Sequence, residues 1–284
     1  MAVLPLGRRV DVHVHLSQYW PDLRRNSYRP DLDITVAGLL RELDAQSIGF
    51  AVLLQLFSNP SPADVLREGE EMFRKSGGRL LRTVTVDPTS GEAAVQETLD
   101  GWERVRDIVA VKLYPGYQAF YPHDARVHPV YEFAHRAGIP VVIHQGDTLD
   151  PQGHVKYARP LEVDEVAVRF RDVRFVLCHL GNPWVEELAE VVYKNANVYT
   201  DTSGLLAHPT APYFPEMVRR SQRRLSNAIA AIGDARKVLY GSDWPLESIA
   251  TAVGLITSLD LPIEDRDRIL GENARAVFRI DAPE

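Results

Sequence analysis

Two hydrophobic patterns alternate along this chain, one typical of buried strands and the other of amphipathic helices. Between the strand segments, apolar residues recur at helical spacing, as at Val36, Leu39 and Leu43. Such alternation predicts a parallel sheet covered by helices, and eight units in 284 residues predict a single (β/α)8 TIM barrel spanning 1–284. An open doubly wound sheet is the weaker alternative, because no glycine-rich phosphate turn follows the first strand. The predicted strands are 9–15, 49–55, 80–86, 108–114, 139–145, 173–179, 197–202 and 237–243.

Proline and glycine positions predict several helix ends. Asn182 and Pro183 have the pattern of an N-cap followed by proline at the first helical position, and Pro245 is predicted to open the last helix in the same way. Gly138 falls between a helix and the next strand, where a helix-ending glycine belongs.

Two connections are longer than the others. They cover 16–32 after the first strand and 203–214 after the seventh. Both lie on the strand-to-helix side of the barrel, where active sites are built, so we expect functional loops there; surface decoration is the alternative.

The first predicted strand carries the clearest chemical signal. In Val10–Leu16, positions 11, 13 and 15 are expected on one face, and Val12, Val14 and Leu16 on the other. His13 and His15 would then lie side by side, and imidazole is the commonest metal ligand in proteins. Asp11 is expected deeper on the same face, in a supporting role.

Other predicted strands also end in polar residues. His144, His179 and Asp243 each follow an apolar run, and Lys112 lies near the end of the fourth strand. Strand ends form one ring in a barrel, so four histidines and an aspartate should meet there and suit an ion such as Zn²⁺. Alternation places His144 with Val142 and His179 with Leu177, and turns Cys178 outward toward the helices.

Composition narrows the class of protein. The net charge of −7, with acids and bases mixed, argues against a nucleic-acid partner or an anionic membrane. The single cysteine, Cys178, excludes an intrachain disulfide and fits a reducing cytosol. No apolar run approaches membrane-spanning length, so a cytoplasmic protein is expected.

These motifs resemble the amidohydrolase superfamily, in the amidohydrolase-2 branch that includes aminocarboxymuconate-semialdehyde and resorcylate decarboxylases. The resemblance covers nearly the whole chain, and its most specific elements are the HxH motif and GSDWP in this order. The matching stretches include DVHVH at 11–15, VKLYP at 111–115, VVIHQG at 141–146, VYTDTSG at 198–204 and LYGSDWP at 239–245.

The resemblance implies roles for these residues. His13, His15 and His144 resemble metal ligands, and Asp243 resembles an aspartate that both binds metal and moves protons. His179 resembles a histidine that faces the substrate in one-metal members and binds the second ion in two-metal members.

Lys112 leaves the number of ions open. A carbamylated lysine bridges two ions in some members, whereas the decarboxylase branch generally uses one. Lys112 could equally be a cationic clamp for the substrate or a structural ion-pair partner. We expect one ion, Zn²⁺ or another divalent metal such as Mn²⁺ or Fe²⁺.

Three functions remain open from the sequence. The first is metal-dependent hydrolysis of a C–N or C–O bond in a small carboxylated substrate. The second is non-oxidative decarboxylation of an aromatic or muconate-type acid, and the third is a binding protein without catalysis. Tyr114, Lys156 and Arg159 are the candidate substrate-binding residues. A homodimer is compatible, since dimers are common among such barrels.

Overall fold

The computed structural model describes residues 7–20, 23–56, 61–103, 105, 108–206 and 211–280. Eight strands form one sheet in the order β1 to β8, and each pairs in parallel with the next. The predicted strands are therefore confirmed, with shorter bounds. They are β1 Arg9–Val14, β2 Ile48–Leu53, β3 Leu80–Thr85, β4 Ile108–Leu113, β5 Val141–Ile143, β6 Phe175–Leu177, β7 Val198–Asp201 and β8 Val238–Leu239.

The last strand and the segment after it return to the first. Val12 N donates to Tyr240 O at 3.0 Å, and His15 N donates to Trp244 O at 2.7 Å. Asp243 N donates to His13 O at 2.8 Å, which joins two candidate site residues through the backbone. The chain thus forms the predicted TIM barrel, and Asp243 is held beside the first strand.

Helices occupy the connections between the strands. In the described part of the chain, no helix is both long and apolar enough to cross a membrane. The α-helices are α1 Val36–Ala45, α2 Pro62–Lys75, α3 Glu92–Trp102, α4 His128–Ala137, α5 Asp164–Arg169, α6 Val185–Lys194, α7 Phe214–Ile232, α8 Ile249–Thr257, α9 Ile263–Asp267 and α10 Asn273–Phe278.

The predicted helix starts at the two prolines are wrong, whereas the glycine stop is confirmed. Gly138 ends α4 in the left-handed conformation, at φ 66°. The Asn182–Pro183 and Trp244–Pro245 peptides are cis, and each helix begins later. Asn182 accepts a hydrogen bond from Arg224 at 2.5 Å instead of capping α6, and Ser248 caps α8.

Two hydrophobic clusters fill the molecule. The larger lies between the strands and the surrounding helices. The smaller joins strand residues with α10, so it fills the barrel interior and α10 covers one end. Its buried members are Val10, Val12, Val52, Leu54, Leu81, Ala110, Val142, Val176, Cys178, Leu239, Ala274, Val277, Phe278 and Ile280.

Two side chains, Val12 and Cys178, point in directions other than those predicted from alternation. The pairing of β1 with β2 shifts register between Asp11 and Val14, so Val12 packs in the interior cluster while Val14 packs outside. Cys178 also lies in the interior cluster, not toward the helices. Strict alternation fails at both places, because β1 is irregular and β6 ends at Leu177, before Cys178.

Candidate metal centre

Three ligand atoms converge at the C-terminal end of the barrel. His13 Nε2 lies 3.2 Å from His15 Nε2, and Asp243 Oδ1 lies 3.3 Å and 3.2 Å from these two nitrogens. All three residues are buried. A tetrahedral zinc ion with ligands at about 2.0–2.1 Å holds its ligand atoms about 3.3 Å apart, so this spacing fits such an ion.

The hydrogen bonds behind the rings determine which nitrogens carry protons. His15 Nδ1 lies 2.9 Å from Leu54 O, and His13 Nδ1 lies 2.9 Å from Asp201 Oδ2. Because a carbonyl or carboxylate oxygen only accepts, both Nδ1 atoms donate, and in the neutral form of each ring Nε2 carries a lone pair. Asp243 Oδ1 is buried and has no hydrogen-bond donor among the described residues. Three lone pairs therefore face one another with no proton between them, a set that a divalent cation satisfies.

Burial and charge keep these groups in the ligand form. Burial lowers the pKa of His13 to about 4, although Asp201 and Asp243 oppose this change. Burial alone would raise the pKa of Asp243, but His13, His15 and His179 hold it well below the usual range of a carboxyl. At neutral pH, His13 is therefore neutral and Asp243 is ionised.

His144 and His179 form a second, adjacent pair. His179 Nε2 lies 3.1 Å from His144 Nδ1, and His144 Nε2 donates to Asp147 O at 2.9 Å. Burial lowers the pKa of both imidazoles. Among the described residues, the ligand atoms of His13, His15 and Asp243 all lie within 4.8 Å of one another. His144 does not belong to this group.

His179 reaches this place through a break in the strand. The φ angles of His179 and Leu180 are 61° and 49°, so the chain leaves the β conformation after Leu177. Leu177 packs in the outer cluster, and the prediction that it shares a face with His179 is wrong for that reason. His179 Nδ1 comes within 4.0 Å of Asp243 Oδ2.

Lys112 lies inside the barrel and is fully buried. Its Nζ is 2.9 Å from Cys178 Sγ and 4.9 Å from the centre of the Tyr114 ring. Within the described residues it has no carboxylate partner within ion-pair distance. A thiol and an aromatic face are its contacts, so its surroundings differ from those of a structural ion pair.

The three predicted substrate-binding residues are not brought together. Tyr114 is buried, donates to Gln55 O at 2.9 Å, and stacks on the His144 ring with centroids 6.4 Å apart. Lys156 is exposed and lies over the Tyr157 ring. Arg159 is also exposed, and its guanidinium binds Glu187 at 2.5 Å.

Sequence reasoning missed two aromatic walls of the site. The Trp20 ring packs edge-on against His15, with centroids 6.1 Å apart, and the Tyr117 ring packs against His144 at 4.8 Å. Both lie in loops after strands, where no periodicity marks them. The two long predicted loops supply Trp20 and the residues after β7, although 21–22 and 207–210 lie outside the described residues.

Asp11 supports the first strand as expected. Its Oδ1 accepts hydrogen bonds from His13 N and Ser242 N, both at 3.0 Å. Burial raises its pKa to about 7. It therefore links β1 to the segment that carries Asp243.

Gly204 provides a test of how tightly His179 is packed. A Cβ added there would lie 2.7 Å from His179 Nδ1, and the residue has φ 69°. Gly204→Ala should therefore displace His179 and lower turnover at least tenfold, in addition to about 1–2 kcal/mol of backbone strain. Gly233→Ala is the matched control, because Gly233 has φ 70° and open space around its Cβ. Equal turnover of the two metal-loaded variants would contradict this packing argument.

The comparisons with known proteins assign the chain to a family. The amidohydrolase family model matches residues 10–280, so the chain belongs to the amidohydrolase family. A search of curated proteins found no match.

Solved structures share the fold. An uncharacterized TIM-barrel protein from Bordetella bronchiseptica is 19% identical, covers 95% of this chain and 98% of its own, and has a TM-score of 0.74. A zinc-bound amidohydrolase from Burkholderia multivorans is 17% identical, with 97% and 100% coverage and a TM-score of 0.73. A dihydroxybenzoic acid decarboxylase from Polaromonas sp. JS666, with manganese and 2-nitroresorcinol bound, is 16% identical, with 96% and 97% coverage and a TM-score of 0.71. At these identities the likeness concerns the fold alone.

Proposed function

We propose that this chain is a divalent-metal-dependent hydrolase that cleaves a C–N or C–O bond in a small carboxylated substrate. The observation that carries the proposal is the convergence of His13 Nε2, His15 Nε2 and Asp243 Oδ1 within 3.3 Å, with lone pairs on all three atoms. A purely structural cluster would place protons between such atoms, because buried acceptors without donors are costly.

His13, His15 and Asp243 would hold the ion, and Zn²⁺, Mn²⁺ and Fe²⁺ all accept this donor set. When bound, a Zn²⁺-type ion acts as a Lewis acid and lowers the pKa of a bound water toward 7. Membership of the amidohydrolase family and the zinc-bound structural neighbour support this choice.

The chain's own groups can then move protons. Asp243 Oδ1 belongs to the ligand cluster, whereas Asp243 Oδ2 faces His179 Nδ1 at 4.0 Å. Oδ2 is thus free of the ligand cluster and can accept a proton and return it to a leaving group. His179 lies close enough to hold the substrate oxygen that gains negative charge.

We favour one ion. The His144–His179 pair could bind a second, but a bridging carbamate would have to come from Lys112, whose nitrogen contacts Cys178 in the interior. His144 would then complete the site by contacting the substrate or by entering the ligand set.

Decarboxylation is a second candidate, and the aromatic rings around the site favour it. Trp20 lies beside His15, and Tyr117 lies beside His144, so flat rings flank both ends of the histidine cluster. Such walls suit a planar unsaturated acid. On this alternative Asp243 or His179 would protonate the carbon that loses CO₂, and the structural neighbour described as a decarboxylase carries manganese.

One substrate screen separates these functions. Protein loaded with Zn²⁺ or Mn²⁺ is incubated with carboxylated lactones and amides, and in parallel with aromatic and muconate-type acids. We expect acid release from the first set, measured by pH-stat titration, with no turnover after chelation. CO₂ release from the second set alone would establish the decarboxylase. A chain that binds metal but turns over neither set would favour the binding protein.

A further inference from the structure

Two polar residues at the end of β7 contact both histidine groups. Asp201 and Ser203 are fully buried and lie beneath His13 and His179. Buried polar groups of this kind often orient metal ligands, and removing them typically costs 10–100-fold in metal affinity.

The Asp201 carboxylate is itself held by the backbone. Its Oδ1 accepts from His179 N at 2.9 Å and from Ser203 N at 3.1 Å. This leaves Oδ2 directed at His13 Nδ1, at 2.9 Å. Asp201 therefore requires the tautomer of His13 in which Nδ1 is protonated and Nε2 faces Asp243 and His15 with a lone pair.

Ser203 connects this carboxylate to the second histidine. Its hydroxyl donates to Asp201 Oδ1 at 2.5 Å. His179 Nδ1 lies 2.9 Å from Ser203 Oγ, and His13 Nδ1 lies at the same distance. The contact with Ser203 therefore orients the His179 ring, whose Nε2 lies 3.1 Å from His144 Nδ1.

We propose that Asp201 and Ser203 are positioning residues with separable roles. Asp201 sets the metal affinity of the centre through the tautomer and orientation of His13. Ser203 sets the orientation of His179 and contributes little to metal affinity, because His13 keeps Asp201 as its partner without it. This inference rests on the metal site of the proposed function and does not depend on the identity of the substrate.

The first arm of the test uses Asp201→Asn. The Asn oxygen can keep both backbone hydrogen bonds, whereas its amide group would donate toward His13 Nδ1 and move the ring proton to Nε2. We expect Zn²⁺ affinity, measured by competition with a chromophoric chelator, to fall roughly 10–100-fold. Metal-free circular dichroism and thermal unfolding should match those of the wild type.

The second arm uses Ser203→Ala. Zn²⁺ affinity should change far less than in the Asp201→Asn variant. The ring nitrogen chemical shifts of His179 in ¹⁵N-histidine protein should differ between the wild type and the variant, because the variant lacks the oxygen that contacts His179 Nδ1. Ser76→Ala is the control, since Ser76 is also buried and its hydroxyl donates to Phe73 O away from the centre.

Each outcome has a separate meaning. A wild-type chain that binds no Zn²⁺ would overturn the proposed function. Zn²⁺ binding that is equal in the wild type and in Asp201→Asn would overturn only the role of Asp201. Unchanged His179 nitrogen shifts in Ser203→Ala would overturn the role of Ser203. If Asp201→Asn fails to fold, the wild-type spectrum decides, because an Nε2-protonated His13 contradicts the inference.

Discussion

Asp243→Asn is expected to lower turnover by at least about 100-fold while the chain stays folded, the size expected for removal of a proton-transfer group. Asn is nearly isosteric with Asp, but it lacks the charge that binds the ion and the basic oxygen that faces His179 at 4.0 Å. Turnover and bound metal should both be measured, by steady-state kinetics and elemental analysis.

The stability of Asp243→Asn to denaturant, measured with and without Zn²⁺, tests whether Asp243 binds the metal. Without metal, the neighbouring histidines hold the pKa of Asp243 low, so the folded chain favours its ionised form, and the metal-free variant should be somewhat less stable to denaturant than the wild type. Saturating Zn²⁺ should stabilise the wild type by about 2.7 kcal/mol at 100 times its dissociation constant, and the variant by much less. Asp164→Asn is the control, because Asp164 pairs with Lys194 at the surface. Near wild-type turnover in Asp243→Asn would contradict its assigned role.

His15→Ala is expected to abolish stable metal binding. It deletes one of three converging ligands, so the loss of Zn²⁺ affinity should exceed the roughly 100-fold upper range for residues that only support a ligand. Elemental analysis after gel filtration should give about one ion per wild-type chain and far less in the variant. Turnover should fall in proportion to the metal.

The control for His15→Ala is His135→Ala, which removes an exposed histidine on α4. It should retain wild-type metal content and turnover. A His15→Ala chain that keeps one tightly bound ion would place the metal elsewhere, and the His144–His179 pair would be the next candidate. The residual ion in a His144→Ala and His15→Ala double variant would then decide between these places.

Some features of the site follow from local sequence patterns. The apolar runs place eight strands, and a polar residue after such a run lies at the strand end whatever the details of packing. This pattern predicts that His13, His15, His144, His179 and Asp243 lie at strand ends, and all of them lie at the same end of the barrel. Lys112 was also found, although nothing in its run of neighbours indicates that it contacts Cys178.

Other features depend on local backbone geometry that periodicity does not encode. Alternation predicts Cys178 outward and His179 beside Leu177, but β6 ends at Leu177, two residues before the predicted end, and His179 and Leu180 have positive φ angles. The register shift in β1 similarly turned Val12 inward. Neither proline is a helix start, since α6 begins at Val185 and α8, capped by Ser248, begins at Ile249.

The sequence alone determined the strand–helix alternation, the ring of strand ends and the residue types at those ends, because each depends on hydrophobic spacing within one segment. Only the tertiary structure decided which atoms face one another. His13 comes within hydrogen-bond distance of Asp201, 188 positions away, and of Ser203. His15 and Asp243 meet because β8 returns to β1. Those pairings set the protonated nitrogen of each ring, and with it the lone pairs that make three buried side chains a candidate metal centre.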